Sequence, residues 1–493
     1  MQLESEQGVS AQVEALHWID GQWVSSTRIG ESVDPATGRV VGTYHDGGEE
    51  EARLAVAAAA RAFGDTSWTD DPQRRAVALM RLADAYEARR DDVVATLCRE
   101  NGKLRHEAGF EAGLILRGLR FAAGLALQNF GRVMDPRPGF QGMSIVQPVG
   151  VAGLIIPWNS PAYLSVRALA PALAAGCTAV VKMPMQAAQT AALMSEIVAS
   201  VAELPKGAVN IFIESGADGA KHLVESPYVK TVSFTGSTRT GRAIALAAAA
   251  NLKRVGLELG GKTPHLIFDD ADLDAVLPVL EKSSTVFAGQ FCMCGSRILV
   301  QRGVAERVRD ALAARLRAVK PGPAADPSSD MGPLIDRASL DRIDTMIEAA
   351  LAAGARAIVR GGIVTEPPLA NGNFYRPALL EITDPSLAIA QQEVFGPVQT
   401  LQVFDTEDEA VALANDSEYG LSACVWSRDV DRPIRVSRRL EAGFISINGW
   451  ANIAVEFEEG GYKSSGLGRL GGVASLEDFI ERKQITQTFG MAN

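Results

Sequence analysis

The sequence predicts an α/β protein in which mostly parallel sheets are covered by helices on both faces. Short runs of branched apolar residues alternate with alanine-rich segments of helical periodicity, and this alternation is typical of βαβ units. The chain has 493 residues, of which 47% are hydrophobic, enough for more than one core. We therefore expect two α/β layers joined near residues 258–262.

The elements of these layers can be placed in chain order. A long amphipathic helix is predicted over residues 73–98, with a buried stripe formed by Val77, Leu79, Leu82, Ala85 and Tyr86. A first series of buried strands covers residues 151–156, 179–182, 209–213 and 231–234, with a helix at 187–203. A second series covers residues 265–268, 297–301, 421–426 and 444–447.

Two further segments alternate between polar and apolar residues outside these series. Residues 143–147 follow an irregular stretch with Pro136 and Pro138, and residues 484–489 lie near the end of the chain. One interpretation is that both are exposed edge strands that pair between subunits. The alternative, that each extends the sheet of its own domain, stays open on sequence alone.

Composition limits the kind of protein this is. The net charge is −11 and the pI is about 5.2, so we expect no nucleic-acid partner and no attraction to anionic membranes. No apolar run approaches the roughly 20 residues of a membrane span, and residues 1–10 lack the pattern of a secretory signal. Five cysteines make no disulfide framework in so long a chain, which favours a reducing, cytoplasmic location. No metal site is expected.

The first candidate for chemistry is Cys292. It stands between Gly289 and Gly295, at a junction where backbone amides can hold an oxyanion. A lone cysteine is by type more often a small buried apolar residue, and that interpretation stays open. Glu258 lies between two apolar residues at a strand end. It is therefore either half of a salt bridge or a base whose pKa is raised by its surroundings.

Other candidates follow predicted strands. Asn159 is either a turn or cap residue or a donor to a developing oxyanion. Gly236 and Ser237 open a helix directly after a strand, where free amides and the helix dipole suit a phosphate. Lys182 and Glu393 are either ordinary strand-end and turn residues or groups that hold the ribose or phosphate of a cofactor. The G-x-G-x-x-G fingerprint of ordinary dinucleotide folds does not follow the first strands.

Six short motifs occur in an order too specific to arise by chance. They are PWN at 157–159, FTGST at 234–238, LELGGK at 257–262, GQxC at 289–292, EVFGP at 393–397 and GGYKSSGLGR at 460–469. With them the chain resembles the aldehyde dehydrogenase superfamily over residues 17–490. The resemblance implies oxidation of an aldehyde to its carboxylic acid with NAD or NADP, through a cysteine thiohemiacetal and thioester.

The resemblance also assigns roles to residues. Cys292 matches the nucleophile, Asn159 the oxyanion donor and Glu258 the base that activates the hydrolytic water. Because relatives that pass the acyl group to coenzyme A lack this glutamate, its presence favours water as the acceptor. The positions that match cofactor contacts are Ile156, Trp158, Lys182, Gly236, Ser237, Glu393 and Phe395.

The same resemblance implies an architecture. A Rossmann-type cofactor domain is expected over residues 1–124 and 147–258, and an α/β catalytic domain over residues 259–450. A small β oligomerisation arm is expected over residues 125–146 and 474–493. Such enzymes are usually homodimers or homotetramers.

Departures from the family pattern change the expected specificity. Met185 stands where members that prefer NAD often carry a glutamate, and Arg239 replaces a residue that is commonly acidic. Both changes favour tolerance of NADP. The pair Glu458 and Glu459 stands where many members have Pro-Phe, so the aromatic wall of the substrate funnel is expected to change, with Phe457 as a substitute.

Substrate clues centre on Arg167. Asn159, Tyr163 and Arg167 are spaced four residues apart, which places Tyr163 and Arg167 on one helix face. An arginine in the funnel suits a carboxylate or phenolate, and the alternative is a structural ion pair. Val286 replaces a second arginine that is common in succinate-semialdehyde enzymes. We therefore expect an aromatic or anionic aldehyde, with a semialdehyde dehydrogenase as the alternative.

Two more alternatives bear on activity. A catalytically inactive relative with a structural or ligand-binding role is an alternative from another class, which the three intact catalytic residues disfavour. Cys294 lies two residues from Cys292. The sequence leaves open whether these two cysteines form a regulatory disulfide or whether Cys294 is a passive neighbour.

Overall fold

The structure of the chain is a computed structural model that describes residues 13–128 and 130–490. Residues 1–12, Asn129 and residues 491–493 lie outside the described residues, and with them the prediction made for residues 1–10. None of the helices in the described ranges combines the length and the apolar character that crossing a bilayer requires.

Strands and helices alternate along most of the chain, which confirms the predicted α/β class. The strands are β1 (Val13–Ala15), β2 (His17–Ile19), β3 (Gln22–Val24), β4 (Arg28–Val33), β5 (Val40–Asp46), β6 (Arg132–Arg137), β7 (Phe140–Pro148), β8 (Val151–Ile155), β9 (Thr178–Pro184), β10 (Val209–Glu214), β11 (Val229–Thr235), β12 (Arg254–Glu258), β13 (Pro264–Ile267), β14 (Arg297–Gln301), β15 (Arg356–Val359), β16 (Gly362–Ile363), β17 (Tyr375–Arg376), β18 (Ala378–Glu381), β19 (Val398–Phe404), β20 (Tyr419–Gly420), β21 (Ser422–Trp426), β22 (Phe444–Ile447), β23 (Tyr462–Lys463), β24 (Gly466–Leu467) and β25 (Ile480–Thr488). The α-helices are α1 (Glu49–Phe63), α2 (Thr66–Thr69), α3 (Pro72–Ala88), α4 (Arg90–Glu100), α5 (Arg105–Ala126), α6 (Pro161–Ala175), α7 (Ala188–Ala199), α8 (Asp218–Glu225), α9 (Thr238–Ala249), α10 (Leu273–Thr285), α11 (Ala305–Ala318), α12 (Arg337–Ala352), α13 (Ala388–Gln391), α14 (Glu407–Asn415) and α15 (Arg432–Ser437).

The first large sheet has eight strands in the order β24-β12-β11-β8-β9-β10-β2-β3. The five strands from β12 to β10 are parallel and mostly buried, as their apolar runs predict. The chain order reverses at β8, with β9 and β10 on one side and β11 and β12 on the other. Ligands of such sheets bind in the crevice at the carboxyl ends of the strands beside the reversal. Residues 156–159 and 236–237 follow β8 and β11 into this crevice.

The second large sheet has seven strands in the order β15-β18-β19-β14-β13-β21-β22. All its pairings are parallel except that of β15 with β18. Its strands lie within residues 259–450, and those of the first sheet lie within 1–124 and 147–258, except β24, which arrives from near the end of the chain. The division of the chain into a cofactor domain, a catalytic domain and an arm stays a prediction.

The helix predicted over residues 73–98 is in fact two helices. α3 ends and α4 begins around Arg89, whose φ of −108° and ψ of 16° interrupt the helix. Leu79 and Tyr86 are buried as predicted, but Val77 is 45% exposed. Two helical residues turn the side-chain direction by about 200°, so Val77 lies opposite Leu79, and its place in the buried stripe was wrong.

A separate antiparallel sheet contains three strands in the order β25-β7-β6. Strands β7 and β25 pair along their whole lengths. The strands that contain residues 143–147 and 484–488 therefore pair with each other within one chain, and neither extends one of the two large sheets. Whether this arm joins subunits stays a prediction.

Candidate active site

A cavity of about 570 Å³ lies between α5, α6, α10 and the loops before β14 and after β22. Most of its wall is apolar, and the aromatic side chains that line it are Phe110, Tyr163, Phe287, Phe291 and Trp450. Polar side chains also line it, namely His106, Glu107, Glu111, Asn159, Ser160, Arg167, Lys282, Cys292, Asn452 and Glu459. A cavity of this size, with mostly apolar walls and a set of polar groups that can orient a ligand, is typical of a small-molecule site.

Cys292 lies on a loop that several hydrogen bonds hold in place. The Gln290 side chain donates to the Phe287 carbonyl at 2.9 Å and accepts from the Ile335 amide at 2.9 Å. The Trp450 indole donates to the Met293 carbonyl at 2.8 Å. The thiol is therefore presented to the cavity from a fixed backbone, as a nucleophile requires.

The charge state of Cys292 depends on its surroundings. Burial raises the pKa of the Cys292 thiol to about 12, and the positive charge of Arg167 opposes this rise. Cys294 is also a free thiol, and it is 8% exposed. The regulatory disulfide between the two cysteines stays a prediction.

Glycines let the motifs approach one another. A Cβ atom on Gly261 would lie 2.5 Å from the Cys292 carbonyl oxygen, closer than any side chain tolerates. Gly289 has a φ of +73°, and a Cβ there would overlap the backbone of Gly396. The LELGGK, GQxC and EVFGP motifs therefore meet through backbone contacts that only glycine permits.

Asn159 lies between β8 and α6 and is 7% exposed. Its Nδ2 donates to the Gln290 carbonyl at 3.1 Å, which holds the amide beside the Cys292 loop. An amide nitrogen carries two N–H donors, so the second is available to an oxyanion in the cavity.

A buried charge pair that the sequence did not reveal anchors this part of α6. Glu111 accepts hydrogen bonds from the Ala162 and Tyr163 amides, both at 3.0 Å, at the N-terminus of the helix. Lys103 forms an ion pair with Glu111 and donates to Ser160 Oγ at 3.0 Å. The sequence does contain a hint of this pair, because Glu111 interrupts the apolar pattern of α5. The pattern alone does not say which groups a buried carboxylate contacts.

Glu258 ends β12, opposite Thr235 in the register of β11 and β12. It is 6% exposed, and its Oε1 has no hydrogen-bond partner among the described residues. Burial raises the pKa of Glu258 to about 7, and the Arg167 charge opposes the rise. Its side chain does not line the cavity, yet its charge acts on Cys292. A carboxylate with an unused oxygen and a pKa near neutrality is suited to accept a proton from water.

Arg167 lines the cavity but is not free to bind a substrate anion. Its Nη1 lies 3.0 Å from Oε2 of Glu459, and the two side chains are 10% and 8% exposed. Its Nη2 donates to Thr235 Oγ1 at 3.3 Å. The structure thus matches the alternative in which Arg167 forms a structural ion pair. Its partner is Glu459, which the sequence analysis had linked only with the altered aromatic wall of the substrate funnel.

Phe457 does not replace the aromatic wall, and its predicted substrate contact is wrong. The side chain is 70% exposed and is absent from the cavity lining. Paired backbone hydrogen bonds between Glu459 and Leu470, at 2.6 and 2.9 Å, direct Glu459 inward and leave Phe457 outside. Phe291 supplies the aromatic contact instead, edge to face with Trp450 at 5.8 Å.

The crevice of the first sheet has donors suited to phosphate and ribose. Ser237 caps α9 by accepting from the Thr240 amide at 3.3 Å, and Gly236 precedes it. Lys182 lies on β9, and its Nζ has no hydrogen bond or ion pair with any described residue, while burial lowers its pKa. A largely buried ammonium group without a hydrogen-bond partner fits an anionic ligand, and so does the N-terminus of α9.

The other predicted cofactor positions lie on segments of both layers, after β8 and before β19. Glu393 accepts from the Gly261 amide at 3.1 Å, and burial raises its pKa to about 7. Trp158 and Phe395 contact edge to face at 5.5 Å. Ile156 is buried, and its amide donates to the Lys182 carbonyl at 3.1 Å. Together these groups fit a dinucleotide.

Comparison with known proteins agrees with this arrangement. The model of the aldehyde dehydrogenase family matches residues 23–485. The chain is 38% identical to 2-aminomuconic semialdehyde dehydrogenase of Danio rerio, over 95% of this chain and 97% of that protein. It is also 38% identical to geranial dehydrogenase of Castellaniella defragrans, over 95% and 98%. Betaine aldehyde dehydrogenase of Staphylococcus aureus in complex with NAD+ superimposes with a TM-score of 0.94 at 34% identity, over 96% and 95% of the two chains. The chain therefore belongs to the aldehyde dehydrogenase family and catalyses NAD(P)-dependent oxidation of an aldehyde.

Proposed function

We propose that the preferred substrates are uncharged, largely apolar aldehydes, aromatic ones in particular. The supporting observation is a cavity with aromatic walls whose arginine is already neutralised by Glu459. An anionic aldehyde that pairs with Arg167 would have to take the guanidinium from Glu459 and leave that carboxylate buried without a partner. Breaking a buried pair in this way costs about 3–5 kcal/mol. Semialdehyde oxidation is therefore the weaker alternative.

We assign the chemical steps to three residues. Cys292 adds its sulfur to the carbonyl carbon, and the oxyanion accepts hydrogen bonds from Asn159 Nδ2 and the Cys292 amide. The dinucleotide, when bound, supplies the hydride acceptor. Glu258 then takes a proton from water, which attacks the thioester and releases the carboxylic acid and the thiol. Lys182, Ser237 and Glu393 would hold the dinucleotide.

Benzaldehyde is expected to be oxidised with a kcat/KM at least about a hundredfold higher than 4-carboxybenzaldehyde. The two share one ring and differ by one carboxylate, which faces the cost of about 3 kcal/mol or more given above, and each 1.4 kcal/mol is tenfold. Steady-state formation of reduced cofactor measures both. Equal values, or a preference for the carboxylate, would make the semialdehyde alternative the better one.

A matched variant sharpens this assay. In Glu459→Gln the guanidinium loses its anionic partner, so the ratio of kcat/KM for 4-carboxybenzaldehyde to that for benzaldehyde should rise.

The cofactor preference is a separate prediction. Met185, 39% exposed at the end of β9, adds no carboxylate to repel the 2′-phosphate of NADP+, and Arg239 in α9 adds no acid either. We propose that both cofactors are used. An NAD+ preference above about a hundredfold, or 2.7 kcal/mol, would contradict this.

We also propose a cytoplasmic homo-oligomer joined through the sheet β25-β7-β6. Val133, Met134 and Ile485 expose apolar side chains on its strands, at 66%, 58% and 40%, and exposed apolar patches mark protein contacts. The cysteines of the chain are free thiols, which suits a reducing compartment.

The oligomer is tested by its mass in solution. The protein should scatter light as a multiple of 52.3 kDa, and Met134→Glu with Ile485→Glu should give smaller particles that remain folded. A wild-type particle of one chain would refute the proposed contact.

A further inference from the structure

The buried pair of Arg167 and Glu459 carries more than substrate preference. Arg167 Nε and Glu459 Oε1 are both buried without a hydrogen-bond partner among the described residues. Replacing a buried ion pair with apolar residues of similar volume is often neutral or stabilising. Stability alone therefore does not explain why this part of the wall carries two buried charges, whereas the groups that surround them do.

The sheet holds Arg167 beside Glu258. Thr235, which accepts from Arg167 Nη2, stands directly opposite Glu258 in the parallel register of β11 and β12. On the other side of β12, Glu258 pairs in register with Gly466 of β24. The segment that carries Glu459 thus runs into the strand that flanks Glu258, and it is tied by two backbone hydrogen bonds to Leu470.

The same guanidinium lies in the wall of the cavity that contains Cys292. The charged groups that act on Cys292 are Arg167, Glu393, Glu258 and Glu459, and those that act on Glu258 are Arg167, Glu459, Arg469 and Asp478. For both groups Arg167 favours the ionised form more strongly than Glu459 opposes it. Of the four groups acting on the thiol, Arg167 is the one with positive charge.

We propose that Glu459 is a positioning residue, which fixes the Arg167 guanidinium as a positive charge beside Cys292 and Glu258. That charge favours the thiolate and the carboxylate that the reaction requires. The inference rests on the catalytic roles proposed for Cys292 and Glu258, and it adds a source for their ionisation. The ion pair of Arg167 and Glu459 thus serves two functions. It keeps Arg167 from binding a substrate anion, and it holds the positive charge of Arg167 near Cys292 and Glu258.

The test is the pH dependence of Cys292 alkylation by iodoacetamide, without cofactor or aldehyde, read by mass spectrometry of the Cys292 peptide. In Arg167→Met with Glu459→Leu, an apolar pair expected to fold, the midpoint should rise by about one pH unit or more. Arg167→Lys, which keeps the charge, should stay nearer the wild-type midpoint. Glu459→Gln, which keeps an acceptor for the guanidinium but removes a negative charge, should lower it.

A matched control separates the site from general charge effects. Arg117→Met removes an exposed arginine of α5 that pairs with Glu456 at 3.3 Å, and solvent screens its charge, so the midpoint should not move. An unchanged midpoint in the Arg167 and Glu459 double variant would overturn the inference. Because alkylation needs no turnover, an altered substrate preference with an unchanged midpoint would leave the substrate proposal intact and refute only the positioning role.

Discussion

Replacing Cys292 by alanine is expected to lower aldehyde oxidation by at least about 10⁴-fold. Without the sulfur no covalent adduct forms, and the hydride has no tetrahedral carbon from which to depart. Asn159 and the aromatic walls would still bind the aldehyde, so the variant should bind substrate without turnover. Absorbance at 340 nm with benzaldehyde and either dinucleotide measures the loss.

Cys294→Ala is the matched control for that variant. Cys294 is buried and does not line the cavity, so its thiol cannot substitute for Cys292, and its removal should leave most of the activity. Wild-type turnover in Cys292→Ala would contradict the proposed mechanism. Loss in both variants alike would point to the fold of the loop between Gln290 and Gly295 rather than to nucleophilic chemistry.

The strands were predictable from sequence because their burial is continuous. Residues 151–156 form an uninterrupted apolar run, residues 209–213 are apolar except for Asn210, and the structure places them as β8 and β10 inside the first large sheet. The break between α3 and α4 was not predictable. The residues around Arg89 include neither glycine nor proline, so local preference favours one helix, and packing against other elements must impose the turn.

The site was predictable only where a local motif carries it. Cys292, Glu258 and Asn159 each lie in a short pattern that already restricts the backbone. The partner of Arg167 lies 292 residues away, and periodicity along one helix says which face a side chain shares but not what it meets. The prediction that Phe457 replaces the aromatic wall failed for the same reason, because the inward direction of Glu459 depends on its backbone hydrogen bonds with Leu470.

Glu258→Gln is expected to separate the two halves of the reaction. The first half, which reduces the cofactor and acylates Cys292, should proceed, and hydrolysis should slow by about 10²–10⁴-fold for loss of a general base. Rapid mixing should then show a burst of reduced cofactor equal to the concentration of sites, followed by slow turnover. Mass spectrometry should find the acyl group on Cys292.

A matched control for this variant is Glu456→Gln, which removes an exposed carboxylate that pairs with Arg117 and should leave both phases unchanged. Loss of the burst in Glu258→Gln, in proportion to the loss of turnover, would contradict the assignment. Glu258 would then act before hydride departure, for example on the thiol.

The pH dependence gives the same residue an independent signature. The raised pKa of Glu258, about 7, means that the carboxylate is protonated at lower pH and ionised at higher pH. Since only the ionised form accepts a proton from water, the rate of thioester hydrolysis should fall tenfold per pH unit well below 7 and level off above it. In Glu258→Gln this acid limb should vanish, because an amide does not titrate. A wild-type limb that persists in the variant would assign the titration to another group and remove Glu258 from the hydrolytic step.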